Sequence, residues 1–297
     1  MKSLKLWASG AVLAAVAIAG PVSSQNASWG QETEPFQMID NVWYVGSAGL
    51  SAFLIKTPAG DILLDVGLPQ NADMVEKHLA TIGVKLSDIK ILLNSHSHYD
   101  HSGGLAKLKA DTGARLISTE GEKQALEKGV YPGSEGVDAY KFPPVKVDEI
   151  VADGGKVTLG GLTLTAHITP GHTKGCTTWT WPVKDKNGST HTAVNFCSAS
   201  VAANRLAPNP QYPGIVEDYR TTFAKVKTFD GDVFLAPHSE FYDMTGKRAK
   251  LSQPGPNPFI APGAFHAFVA SQETAFNVSL LQQQQRAATA SSSVKAQ

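Results

Sequence analysis

The sequence predicts an α/β protein in which two sheets pack face to face with helices outside them, a four-layer αβ/βα sandwich. Three observations point there. The chain has 297 residues, 42% of them hydrophobic, enough to bury a substantial core. It runs several strands and then helices twice over, in two halves of similar order. A strand in each half leads straight into a histidine-bearing turn, which places a candidate site along the edge the two sheets share.

From Phe36, the runs FQMIDNVWYVG, LSAFLIKT and DILLDVG are rich in β-branched and aromatic residues and are divided by Gly, Pro and Asn, so each reads as strand. In NADMVEKHLATIG the period becomes helical, with Met74, Val75, His78, Leu79 and Ile82 on one face. IKILLNS is a continuous apolar strand that ends at a histidine cluster. GGLAKLKADTG reads as a helix with a glycine stop, ARLIST as a strand and EGEKQALEKG as another helix. Residues 130–148 hold too much glycine and proline for regular structure and read as a loop bordering the site. The second half opens with VADGGKVTLGGLTLTAHITPGHT, then gives the strand TTWTWPV, the helix IVEDYRTTFAKVKTF and the strand DVFLAPH. A last helix is expected over AFHAFVASQETAFNVSLL. The polar tail at 283–297 is expected to be disordered, which leaves 25–282 as the folded domain.

Residues 1–24 read as a secretory signal. Lys2 and Lys5 precede an apolar run from Leu6 to Ala19, and small residues suited to cleavage after Ala19 or Ser24 follow. The run is shorter than the ~20 residues a membrane-spanning helix needs, and no cysteine follows it to carry a lipid. Export to the periplasm without stable membrane association is therefore expected. The 26 basic residues balance 26 acidic ones and form no long like-charge block, so no nucleic acid partner is expected. A small neutral or singly charged substrate suits this chain better, and a monomer is expected. Two cysteines are too few for a disulfide scaffold. Cys176 and Cys197 fall on apparent strands joined by the turn-like KDKNGS, so a bridge between them and a pair of buried thiols are both open.

The chemistry concentrates in HSHYDH, which holds three of the chain's nine histidines. His96 and His98 lie two apart, so on extended backbone both point to one side and can grip one ion. Asp100 and His101 follow the turn and face elsewhere, as a second ion would require. His172 in TPGHTKG and His238 in FLAPHSE supply the remaining donors, each at a strand end beside Pro or Gly. Two sets of three result: His96, His98 and His172, and Asp100, His101 and His238. Imidazole and carboxylate donors of this kind suit zinc, two ions per chain. A lone histidine after a strand is more often structural than ligating; five with one aspartate in three strand-end motifs are not.

HSHYDH, TPGHT and APH in this order resemble the metallo-β-lactamase superfamily, and the flanking blocks resemble its third, di-zinc subclass of β-lactamases over almost the whole mature chain. The H-x-H-x-D-H motif by itself marks only the superfamily, which includes thioester hydrolases, lactonases and nucleases. Thioesterase and lactonase relatives place a bridging aspartate after the strand that here is followed by VNFCSASVAANRL, which has no acidic residue. Other β-lactamase subclasses carry a ligating cysteine there; in continuous alignment Ser198 takes that position and Cys197 precedes it. The resemblance implies β-lactam amide hydrolysis by a hydroxide shared between two zinc ions and oriented by Asp100, and hence antibiotic resistance. It implies that Ser198 and Ser200 contact the substrate carboxylate, that Asn204 helps bind substrate and polarise the lactam carbonyl, and that Asp65 supports the ligands from behind. Trp29 and Tyr131 are candidates for the pocket wall. A lactone or thioester hydrolase of the same fold is the alternative, and a non-catalytic zinc protein the more distant one.

Overall fold

The computed structural model describes residues 27–295. The signal expected at 1–24 lies outside the described residues. Seven strands form the first sheet in sequence order: β1 (Phe36–Ile39), β2 (Val42–Tyr44), β3 (Phe53–Thr57), β4 (Gly60–Leu64), β5 (Ile89–Leu93), β6 (Arg115–Ser118) and β7 (Glu149–Ile150). The first four are antiparallel neighbours, and β4 to β7 are parallel. Parallel neighbours need crossovers, and the helices Asn71–Thr81, Leu105–Thr112 and Glu120–Lys128 supply them. The second sheet has the order β12-β11-β10-β9-β8, from β8 (Lys156–Leu159), β9 (Leu162–Ile168), β10 (Thr177–Lys184), β11 (Thr190–Asn195) and β12 (Val233–Leu235). Only β11 and β12 run parallel there, with the helix Ile215–Val226 crossing between them.

Period-two alternation divides the strands of the first sheet between two cores. Phe53, Ile55, Ile62, Leu64, Ile91 and Leu93 face the second sheet and meet Leu164, Trp179 and Trp181. Leu54, Leu63, Leu92 and Leu116 face the other way, onto Val75, Leu79, Leu105 and Leu108 of the outer helices. Helix, sheet, sheet, helix is therefore the layer order, the predicted sandwich. Trp179 Nε1 donates to the carbonyl of Asn94 (3.1 Å), which fastens the end of β5 to β10 across the sandwich.

Two features differ from expectation or close an open question. The tail expected to be disordered from 283 instead continues the last helix, Ala264–Lys295. Its alanines, glutamines and arginine are good helix formers and extend a helix already nucleated by packing. Little of it is buried beyond Leu280, but Gln283 accepts from the backbone N–H of Leu206 and donates to the carbonyl of Asn204, so the tail's first turn holds the 204–207 loop. Cys176 and Cys197 form a disulfide, with Cα atoms 5.8 Å apart. The register pairs Trp179 with Asn195, which puts both cysteines just past the ladder of β10 and β11. Among the described residues no helix is long and apolar enough to cross a membrane.

Candidate metal centre

Each donor segment leaves the C-terminal end of a strand. Asp65, the residue after β4, fixes the turn past β5: it sits in the left-handed region (φ 59°), fully buried, and its carboxylate accepts the N–H of Ser95 (2.7 Å). Aspartate tolerates that backbone conformation better than most residues do. Val66 and Gly67 then donate to the carbonyl of His101 (3.0 and 3.1 Å), and Ser102 Oγ donates to that of His96 (2.7 Å). Asp65 thus caps the turn that leads into the cluster, through the backbone of Ser95. The short helix Tyr99–Ser102 carries Asp100 and His101. His238 follows β12 and is held by an isolated bridge to Leu50.

The six predicted donors meet as two triads. His96, His98 and His172 bring their nitrogens within 4.8 Å of one another, and so do the donor atoms of Asp100, His101 and His238. In the second triad, His101 Nε2 lies 3.2 Å from His238 Nε2, and Asp100 Oδ2 lies 3.3 and 3.6 Å from those two nitrogens. The circle through these three atoms has a radius of about 2.0 Å, the spacing at which zinc takes imidazole nitrogen and carboxylate oxygen. In the first triad, His172 Nδ1 donates to the carbonyl of Ser200 (2.8 Å), so its neutral ring turns a bare Nε2 towards His96 Nε2, 3.2 Å away. The donor set fits a pair of borderline-soft divalent ions.

Electrostatics agree with ligation. Burial drives His96 and His98 well below the ordinary imidazole range, with neighbouring imidazoles adding to it. Burial likewise brings His172 down to about 4 and His238 to about 3. These four rings are neutral at pH 7 and offer lone pairs. Burial would raise Asp100, but charge on His101, their hydrogen bond and His238 hold it below the usual carboxylate range. Burial would lower His101, yet Asp100 lifts it. A proton on His101 and a cation at the same place are alternatives, so an ion entering this triad must displace that proton.

Aromatic rings wall the site. Tyr131 stands edge-on to His98 at 4.7 Å, and the Trp29 ring lies 5.4 Å from that of His238. Tyr140, from a 3₁₀ turn in the irregular 130–148 segment, stacks on Tyr99 at 5.2 Å. Ser198 and Ser200 face each other with hydroxyls 3.3 Å apart beside the three-histidine triad, Ser200 Oγ being 3.4 Å from His172 Nδ1. Asn204 is a correction. Its side-chain amide is buried and turned inward, donating to the carbonyl of His172 (2.8 Å) and to the Tyr219 hydroxyl (3.2 Å). Both of its amide hydrogens are thereby used, and none is left to polarise a substrate carbonyl. Cys197 is withdrawn from ligation by the disulfide. Glu122 was not singled out by the sequence reading. It is wholly buried and accepts from Ser97 N (2.7 Å), Thr173 Oγ1 (2.5 Å) and Gly175 N (2.8 Å).

The model of the family described as the metallo-β-lactamase superfamily matches residues 49–238. A subclass B3 metallo-β-lactamase of Bradyrhizobium japonicum is similar in structure, with 47% identity and a TM-score of 0.85 over 87% of this chain and 98% of that one. A metallo-β-lactamase from Legionella gormanii is similar at 35% identity and a TM-score of 0.83, over 86% of this chain and 98% of that one. Among curated relatives, a hydroxyacylglutathione hydrolase of Rhodospirillum rubrum is 34% identical over 84 residues, 28% of this chain and 26% of that protein. One from a Bradyrhizobium species is 34% identical over 121 residues, 41% of this chain and 39% of that protein. The chain thus spans between about a quarter and two fifths of the length of these two curated relatives.

Proposed function

The chain belongs to the metallo-β-lactamase superfamily, and from that premise we propose that it is a β-lactamase, hydrolysing the amide bond of penicillins, cephalosporins or carbapenems with two zinc ions. One observation carries the choice of substrate: the segment leaving β11 presents the hydroxyls of Ser198 and Ser200 beside the histidines and no carboxylate. The likeness to B3 β-lactamases over nearly their full length supports the same choice. The short matches to hydroxyacylglutathione hydrolases favour, as the second reading, a thioester hydrolase of the same fold.

In this reading His96, His98 and His172 hold one zinc and Asp100, His101 and His238 the other. When bound, zinc supplies Lewis acidity and makes water nucleophilic near neutral pH, lowering its pKa from 15.7 to about 7. The chain's own groups do the rest. Four neutral histidines turn lone pairs inward without first losing a proton. Asp100 remains ionised, so its Oδ2 could ligate without first losing a proton, and its negative charge would orient a water held beside it. Ser198 and Ser200 donate to the substrate carboxylate and fix the ring. Trp29 and Tyr131 narrow the mouth and reduce the water around the scissile bond. Asn204 holds the His172 backbone. Removal of residues 1–24 on export to the periplasm, action as a monomer and a role in antibiotic resistance complete the proposal.

The test is hydrolysis of a carbapenem, a penicillin and a cephalosporin by mature protein of counted zinc content, with and without chelator, beside Asp100→Ala. Two zincs per chain and chelator-sensitive turnover that falls at least 100-fold in the variant are expected. Zinc uptake with no β-lactam turnover, but cleavage of a hydroxyacylglutathione thioester, would replace this reading with the second.

A further inference from the structure

We propose that Glu122 is a positioning residue which sets the spacing between the His96–His98 turn and the His172 loop, and thereby selectively strengthens ion binding by the three-histidine triad. The proposal rests on the zinc reading above. Glu122 lies in the first turn of the helix Glu120–Lys128, a place where an acid ordinarily faces water. This one is 0% exposed, and among the described residues it has no ion-pair partner within salt-bridge distance. Its carboxylate is instead shared between two loops. Oε2 accepts from the N–H of Ser97, the residue between His96 and His98; Oε1 accepts from Thr173, which follows His172, and from the N–H of Gly175. One side chain thus bonds to residues adjacent to all three donors of one triad and to none adjacent to Asp100 or His238.

The packing around it leaves no slack. A Cβ on Gly121 would come within 2.6 Å of Gly175 Cα, and one on Gly175 within 2.6 Å of Glu122 N, so helix and loop touch backbone to backbone. Thr119 Oγ1, one turn ahead, donates to the carbonyl of Gly175 (2.9 Å) and closes the joint from the other side. Groups that orient ligands from behind in this way typically change metal affinity 10- to 100-fold when removed. Glutamine is nearly isosteric here but cannot substitute: whichever way its amide is turned, its NH₂ faces a backbone N–H, of Ser97 or of Gly175.

The test is zinc affinity by competition with a chromogenic chelator, in mature full-length protein, in two backgrounds. His238→Ala leaves the three-histidine triad intact, and His172→Ala leaves the other. Glu122→Gln should weaken zinc about 10- to 100-fold in the first background and less than about 3-fold in the second. Thr173→Val, which removes one bond without changing shape, should give roughly 5-fold in the first background, the worth of one hydrogen bond, and serves if the glutamine variant does not fold. A purely structural Glu122 would lower the melting temperature of zinc-free protein and weaken both backgrounds alike; that result, or unchanged affinity in the first background, overturns the proposal. Wild-type protein that binds two zincs but cleaves no β-lactam sinks the substrate reading alone and leaves this test intact.

Discussion

Replacing Cys176 and Cys197 together by alanine should lower stability by about 3 kcal/mol. The bridge closes a segment of 21 residues' separation, and the chain entropy it removes from the unfolded state, taken with the loop-length relation, comes to roughly that value at 25 °C. Both cysteines are wholly buried, so the lost sulfur atoms leave space that adds to the cost. For a domain of this size, each kcal/mol moves the melting temperature about 2–4 °C, which predicts a fall of about 6–12 °C. Calorimetry of zinc-free wild type and double variant measures it without interference from bound metal. Added reductant should leave the folded wild type unchanged, because reductant cannot reach a buried bond until the chain opens, and should lower the refolded midpoint part of the way to that of the variant, since the two thiols still fill the space that alanines leave. A double variant melting within about 2 °C of wild type would refute the argument, since the hairpin pairing of β10 and β11 would then already confine the unfolded segment.

The two triads should separate on acidification. His101 is lifted above the ordinary imidazole value of 6.5 and must lose a proton to ligate, so at pH 5 proton competition costs its triad at least about 30-fold in affinity. His172, at about 4, is still mostly unprotonated there; counted zinc should fall from two per chain to one before any loss of the second, and simultaneous loss would contradict the assignment. Asn204→Leu should cost about 1–3 kcal/mol of stability by leaving the His172 carbonyl short of a donor, read by urea denaturation; a variant of full stability that loses only turnover would restore the catalytic role withdrawn above. Truncation after Arg286 should remove helical signal from the far-ultraviolet circular dichroism yet shift the melting temperature by less than about 2 °C, because Gln283 and Leu280 remain in place.

The six donors were legible because strand-end position and the two-residue spacing of His96 and His98 constrain direction before any tertiary contact is known. The strands around them were legible for the same reason: in IKILL, Ile91 and Leu93 go to one core and Leu92 to the other. Glu122 was not, since a carboxylate in the first turn of EGEKQALEK has the same pattern as the exposed Glu120 two residues before it. Only the approach of the Gly175 loop, more than fifty residues away in sequence, distinguishes them. Asn204 was misjudged because alignment fixes a position along the chain and not the direction of a side chain. Low complexity in the tail was read as disorder, although alanine, glutamine and arginine following a packed helix favour its continuation. The cysteine bridge needed the register of β10 on β11, which turn length and alternation leave open.

Each triad takes donors from both sheets: His96 and His98 with His172, Asp100 and His101 with His238. Neither half of the fold could hold an ion in this way by itself, so a metal bound there would act as a rivet between the sheets, and its uptake would report the docking of one sheet on the other. Free zinc at 100 times the dissociation constant of a triad adds about 2.7 kcal/mol to the assembled form over any state in which the halves have parted. The same coupling makes chelation a mechanical operation on this molecule. Stripping ions held by both triads would withdraw two fastenings between the layers, and the ease of opening the interface would then read out how tightly each was bound.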